Sequence, residues 1–218
     1  MGRELLTGDQ VAQAEGLGDW RPILGALEAR FSTGDFATGV RFVDAIGEAA
    51  EEANHHPDIT LTYPWVHVLL TSHDVGGKTQ RDVDLARRIS AIAADLGITA
   101  DPSGLQRVEL GLDAADISAV RRFWAAVLQM KEVGEDDLVD PNGVDPTIWF
   151  QQADPHDEPR QRFHLDLRLP PDQVESRIEA ALAAGGTLVS DRYAPRFWVL
   201  ADPEGNKVCL CTHVTRED

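Results

Sequence analysis

Seven histidines occur in the 218-residue chain, and four of them, His55, His56, His67 and His73, fall within one nineteen-residue stretch. Histidine is the side chain best fitted to accept and donate protons near neutral pH, so the cluster points to general acid–base chemistry. Glu51 stands four residues before His55. If its helix runs that far, the two share a face, and the carboxylate orients the imidazole and raises its basicity. Pro57 follows His56 and stops the helix, leaving the pair at a C-terminal end whose dipole favours a protonated ring. The same residue types have plainer uses. Histidines close helices as caps. His67 between two valines reads as a sheet residue, and Tyr63 and Trp65 as sheet packing. Asp82, three positions after Thr79, reads as the carboxylate of a helix-capping pair.

The elements that must carry these groups follow from periodicity. Thr7 to Leu17 reads as a short helix and Ala26 to Ser32 as a strand. Asp35 caps a long helix with Phe36, Val40, Val43, Ile46 and Ala50 at helical spacing. Trp65 to Ser72 alternates as a strand, with Val66, Val68 and Leu70 on one face. Thr79 opens a helix that turns Val83, Ala86, Ile89, Ala93 and Leu96 inward and stops at Gly97. This predicts an α+β domain, a small antiparallel sheet with helices on one face. Thr99 to Gly104 has the composition of a linker. Beyond it the pattern restarts: strand Arg107 to Leu112, helix Asp116 to Met130 and strand Thr147 to Gln151. A second round follows: strand Phe163 to Leu169, helix Pro171 to Ala184, then strands Thr187 to Tyr193, Phe197 to Ala201 and Lys207 to Thr212. A helix followed by strands, used twice, predicts an internal repeat and a second α+β domain. The expected domains are residues 1–100 and 103–218.

The spacing in the first domain resembles a known family. Glu51-x-x-x-His55-His56-Pro57, then Tyr63, then His73, then Asp82 is similar to the signature of pterin-4a-carbinolamine dehydratases. A Gly-Asp-Trp turn ending at Trp20 and the stretch from Phe31 to Val43 fit as well, so the likeness spans about residues 5 to 98. It implies removal of water from a 4a-hydroxytetrahydropterin, a small-molecule pterin substrate, with no metal or redox cofactor. By resemblance His55 and His73 do the acid–base work, and His56 and Trp20 contact substrate. Glu51 and Asp82 position the imidazoles by the same likeness. Which histidine is acid and which base stays open. Asp74-Val75-Gly76-Gly77-Lys78 is compatible with the family's glycine turn.

Residues 105 to 213 resemble the vicinal-oxygen-chelate superfamily, on its glyoxalase-like branch. The likeness rests on Glu109 and Asp116, the Phe123-Trp124 helix, Phe163-His164-Leu165-Asp166, and Asp202-Pro203-Glu204-Gly205-Asn206. It implies paired βαβββ modules that often hold a divalent metal, with Glu109 and His164 at ligand positions. Cys209 stands where the closing carboxylate is expected, and Phe150 and Gln152 are a poor supply for the remaining position. The expectation is therefore an incomplete site, although two hard ligands and a thiol suit zinc. Cys209 and Cys211 also read as small buried strand residues. His156 and His213 read as solvated, and Trp124, Trp149, Phe197 and Trp198 as core and cup lining.

Composition bounds the rest. A net charge of -17 repels nucleic acid and anionic membrane surfaces, so neither is an expected partner. No apolar segment follows the opening Met-Gly-Arg-Glu, and no run approaches the ~18 residues of a membrane span. The two cysteines, two apart in a strand, do not suit a relaxed disulfide, which predicts a reducing cytoplasm. Edge strands on both small sheets predict a homo-oligomer. The leading reading is a dehydratase fused to a glyoxalase-like domain of ligand-binding or accessory role. Two others stay open: a non-catalytic pterin-binding or oligomerisation protein, and a metal-dependent lyase or dioxygenase activity in the second domain.

Overall fold

The computed structural model describes residues 3–155, 164–169 and 171–212. The chain divides into two compact units, Met1–Arg107 and Val108–Asp218. His156, Phe163 and His213 lie outside the described residues.

In the first unit the order is α1 (Gly8–Ala12), β1 (Arg21–Ile23), β2 (Ala26–Ser32), α2 (Phe36–Ala53), β3 (Asp58–Thr62), β4 (Trp65–Leu70), α3 (Gln80–Asp95) and β5 (Thr99–Ala100). The sheet runs β1-β2-β4-β3 with β5 also on β2, and every pairing is antiparallel. The two-residue period turns Leu27, Ala29 and Phe31 of β2 and Val66, Val68 and Leu70 of β4 to one face, where all are buried. Phe42 and Ile46 of α2 and Val83, Ala86 and Ile89 of α3 close a single core over that face. The opposite face of β2 and β4 carries Glu28, Arg30, Trp65 and His67. The expected caps are present: Asp35 Oδ1 accepts from Thr38 N at 2.8 Å, and Thr79 with Asp82 forms a capping box on α3.

Several local expectations shift. The first helix covers only Gly8–Ala12, because Gly16 in the Gly16-Leu17-Gly18 stretch takes φ +77 and breaks the pattern. The buried stripe of α2 is Gly39, Phe42, Ile46, Ala49 and Ala50, while Phe36 and Val40 are exposed. Gly39 favours this rotation: a Cβ there would lie 2.5 Å from Leu61 Cδ1, so the helix meets the sheet at a position without a side chain. Leu96, expected inside, is exposed. The expected linker contributes β5 and a 3-10 turn, Pro102–Gly104, to the first unit. Asp101 N donates to Arg30 O at 2.7 Å and the Arg30 guanidinium reaches Asp101 at 3.2 Å, which binds that segment to β2.

The second unit repeats one motif. Its first half is β6 (Leu110–Ala114), α4 (Ile117–Leu128), β7 (Lys131–Val133), β8 (Asp137–Val139) and β9 (Ile148–Gln152). The second half is β10 (Leu165–Arg168), α5 (Val174–Ala183), β11 (Thr187–Tyr193), β12 (Phe197–Ala201) and β13 (Lys207–Cys211). The sheets run β6-β9-β8-β7 and β10-β13-β12-β11, the same strand order in each half. In both, the first strand runs parallel to the last. This is the paired βαβββ arrangement, and the repeat lies in topology rather than in residue identity. Val208 and Leu210 face the core with Phe123 and Val120 of α4. Gly186, after α5, is demanded by that core: a Cβ there would lie 2.2 Å from Phe123 Cε2 and 3.0 Å from the Ala181 carbonyl oxygen. Gly186→Ala is therefore expected to cost about 1–2 kcal/mol by overpacking, read as a lower urea midpoint at unchanged slope. Among the described residues no helix is long and apolar enough to cross a membrane.

Candidate functional site

The end of α2 determines where the histidine pair points. Asn54 adopts a left-handed conformation, φ 45 and ψ 44. Asn54 N donates to Glu51 O and His55 N to Ala50 O, each at 3.1 Å, the paired bonds of a Schellman stop. The helix thus ends two residues earlier than a Glu51–His55 face requires. The carboxylate partners change accordingly. Glu51 Oε1 meets His56 Nε2 at 3.1 Å, both side chains exposed, and His55 turns inward to Asp82. The expected Glu51–His55 pair is corrected to Glu51–His56 and Asp82–His55.

His55 Nε2 lies 2.7 Å from Asp82 Oδ1, with His55 7% exposed and Asp82 fully buried. The other oxygen, Asp82 Oδ2, accepts from Ser72 Oγ and Thr79 N at 2.7 Å each, and from Thr79 Oγ1 at 3.2 Å. Ser72 Oγ and Thr79 Oγ1 are themselves 2.8 Å apart. One oxygen of Asp82 takes part in the α3 capping box and the other meets the His55 imidazole. Every member is satisfied, so the network fixes His55 rigidly.

His73 follows β4 and is 68% exposed, its Nε2 3.7 Å from Asp58 Oδ2. Asp58 opens β3 directly after His55-His56-Pro57 and pairs with Leu69 near the end of β4. The topology therefore gathers His55, His56, Asp58 and His73 at one end of the sheet, beside the start of α3. The 74–78 loop is closed by Ser72 N to Gly77 O at 2.9 Å, with Gly76 at φ +70. Asp74 is held by Arg81, at 2.6 Å, and by Arg3. The Arg81 hydrogen bond leads the causes that keep the Asp74 carboxyl below the ordinary aspartate value.

Trp20 does not join this group. It is 2% exposed within the core, edge-on to Phe31, and its Nε1 donates to Ser90 Oγ at 3.0 Å. The expected contact with substrate is corrected to a packing role, since the ring has no free face. His67 is more than a sheet residue. Its Nε2 meets Glu28 Oε2 at 2.8 Å, and Arg107 Nε donates to Glu28 Oε1 at 2.9 Å. Burial pushes the Glu28 carboxyl up, but the hydrogen bonds and charges of His67 and Arg107 outweigh it and leave the group below its ordinary value.

In the second unit Asp202-Pro203-Glu204-Gly205-Asn206 is a structural turn. Asp202 Oδ1 accepts from Glu204 N at 2.9 Å and Asn206 N at 2.8 Å, while Oδ2 accepts from Asn206 Nδ2 and Trp124 Nε1. Glu204 Oε1 accepts from Ala115 N and Asp116 N, both at 2.7 Å, tying the turn to the start of α4. Of the two expected metal ligands, Glu109 is exposed just before β6 and His164 stands just before β10. The structure groups His164 with Asp166 and Cys209, whose donor atoms all lie within 4.8 Å of one another, and this group does not include Glu109. Asp166 was not anticipated as a donor; its sequence signal was its place two residues after His164. The Cys209 thiol is pushed up to about 11, by burial first, then by the Asp166 carboxylate and Cys211. Trp149 lies across β6 at Gly111, where a Cβ would be 2.8 Å from its ring. A cleft of about 150 Å³ opens between the halves, lined by Leu110, Met130 and Ile148 of the first and by Leu165, Asp166 and Leu167 of the second.

The family model for pterin 4 alpha carbinolamine dehydratase matches residues 4–92, and that for a glyoxalase-like domain matches residues 109–211. A protein of Thermosynechococcus vestitus named "Putative pterin-4-alpha-carbinolamine dehydratase" is 42% identical over 93 residues, 43% of this chain and 98% of the relative. Among solved structures, a transcriptional coactivator/pterin dehydratase from Brucella melitensis is 31% identical over 41% of this chain and 99% of its own, with a TM-score of 0.40. A glyoxalase/bleomycin resistance protein/dioxygenase family enzyme from Burkholderia phytofirmans is 20% identical over 48% of this chain and 95% of its own, with a TM-score of 0.39. Through its first unit the chain belongs to the pterin-4-alpha-carbinolamine dehydratase family, and its second unit is a glyoxalase-like domain.

Proposed function

We propose that the first unit dehydrates a 4a-hydroxytetrahydropterin of the tetrahydrobiopterin class to the quinonoid dihydropterin, with His55 and His73 as the acid–base pair. One imidazolium protonates the departing 4a-hydroxyl as the C–O bond breaks. The other ring, neutral, accepts the proton released from a ring N–H, and water leaves with no net change in protons. Asp82 positions His55, Glu51 positions His56, and His56 binds the substrate at the exposed rim. The observation that carries this reading is the buried His55–Asp82 pair, set at the same end of the sheet as two exposed histidines. A buried, hydrogen-bonded imidazole beside solvent-exposed ones suits proton exchange with a bound substrate and then with solvent.

Stopped-flow dehydration of a freshly generated 4a-hydroxytetrahydropterin tests the proposal directly. The chain is expected to accelerate the reaction well above buffer; a rate equal to buffer overturns it. His56→Ala is expected to raise KM about tenfold with kcat nearly unchanged, the loss of one hydrogen bond worth ~1.4 kcal/mol.

A further inference from the structure

We infer that the segment from Arg3 to Leu6 is a strap that holds the His73 loop in its working position, with Leu5 and Leu6 as positioning residues for dehydration. The inference rests on the acid–base role proposed for His73.

The two histidines of the acid–base pair are supported in different ways. His55 is gripped by a buried carboxylate. The His73 ring is exposed, and its ion-pair partner Asp58 stands at 3.7 Å, too far for a hydrogen bond. Its place is therefore set by the backbone that carries it, and that backbone is a tight turn. Ser72 N donates to Gly77 O at 2.9 Å, while Val75 N and Gly76 N donate back to Ser72 O at 3.0 and 2.9 Å. Asp82 holds both feet of the loop, Ser72 and Thr79.

The strap meets the rest of the loop. Leu6 N donates to Lys78 O at 2.7 Å, one residue beyond the carbonyl that closes the turn. Leu5 covers Gly77, where a Cβ would lie 2.9 Å from Leu5 Cδ2. Arg3 Nε reaches Asp74, the residue after His73, at 3.3 Å. The Arg3 side chain is 80% exposed, so its ion pair adds little; the backbone bond and the Leu5 contact carry the hold. The other end of the strap is fixed. Leu6 packs on the core of the first unit, Thr7 caps α1, and Val11 of α1 is buried in that core. A short tether thus runs from the core to the loop that bears His73.

Stopped-flow dehydration and hydrogen exchange on the full chain test the strap together. Leu6→Pro removes the donor to Lys78 O, and Leu5→Ala uncovers Gly77. With KM held near the parent value, kcat is expected to fall about tenfold in the first and about threefold in the second, because small misplacements of a reacting group are costly. Exchange at the Val75 and Gly76 amides should speed by about tenfold, with the β2 and β4 amides as in the parent. Gly77 has no left-handed φ, so its backbone accepts alanine. Gly77→Ala, whose methyl displaces Leu5, should slow the parent yet add nothing to Leu5→Ala. In a His73→Ala background neither strap variant should slow single turnover further. If Leu6→Pro fails to fold, Leu5→Ala and Gly77→Ala decide, since both changes lie at an exposed side chain. An active parent whose folded strap variants keep its kcat, an undiminished loss on top of His73→Ala, or loop exchange unchanged from the parent would each overturn the strap and leave the dehydration reading standing. A parent no faster than buffer overturns both.

Discussion

Asp82→Asn is expected to slow dehydration by about 10²- to 10⁴-fold, the range of general acid–base contributions, while the first unit stays folded. Asp82 Oδ2 accepts from the Thr79 backbone N–H and the Ser72 hydroxyl. A backbone N–H can only donate, so the asparagine must aim its carbonyl oxygen there, which turns its amide NH2 toward His55 Nε2. A ring nitrogen facing a donor must present its lone pair, so the His55 proton moves to Nδ1 and the tautomer is reversed. With His55 as the base, its other ring nitrogen then donates where it should accept; with His55 as the acid, the ring loses the negative charge beside its protonated form. Asp82→Ala separates this from structure. The Thr79 hydroxyl still caps α3 at Arg81 N, but the alanine leaves the Thr79 and Ser72 donors short of an acceptor, at about 1–3 kcal/mol. It should therefore lose both stability and rate, where the asparagine loses mainly rate. Single-turnover stopped-flow on Asp82→Asn, His55→Ala and the double variant closes the cycle: if the carboxylate acts through His55, the double variant is no slower than His55→Ala alone. A rate for Asp82→Asn within about threefold of the parent would sink the positioning role.

Much of this arrangement could be read from the residues because it is written locally. Caps at Asp35 and Thr79, the stripes of β2 and β4, and the repeated helix-then-strands order all depend on near neighbours in sequence. What could not be read depends on contacts distant in the chain. Short strands such as β1, β3, β7 and β8 carry three to five residues each, too few for a period to declare itself. The exchange of carboxylate partners at His55 and His56 turned on one residue, Asn54, entering the left-handed region. Asparagine tolerates that conformation, but nothing in Ala53-Asn54-His55 requires it. Trp20 was drawn toward the substrate by likeness, whereas its burial follows from packing on Phe31 and from Ser90, seventy residues away. Glu28 is one of three polar residues alternating along β2, and Arg107 opens the first strand expected of the next domain. Only the folded sheet brings them together.

Glu28→Ala is expected to cost the first unit about 2–4 kcal/mol at neutral pH, two charge-assisted hydrogen bonds less the relief of unburying a carboxylate. Glu28 is 2% exposed, lies on the helix-free face of β2, and is shared by His67 of β4 and Arg107. Its loss leaves both partners to water, since they are themselves only part-buried, and removes the tie between β2 and the end of the first unit. The pH dependence carries the sharper signature. The native carboxyl sits below its ordinary value of 4.5, while in the unfolded chain it returns to that value. A depressed native value adds stability that is fully present above about pH 4.5 and is lost as pH falls through the native value. The gap between parent and Glu28→Ala should hold from about pH 7 to about pH 5 and close under more acid conditions. Arg107→Ala strips one cation from a group still buried, so its native value rises and the acid loss begins at higher pH than in the parent. Hydrogen exchange at the β2 and β4 amides reads this in the first unit alone. A gap that stays constant down to about pH 3 would mean that Glu28 contributes shape rather than charge.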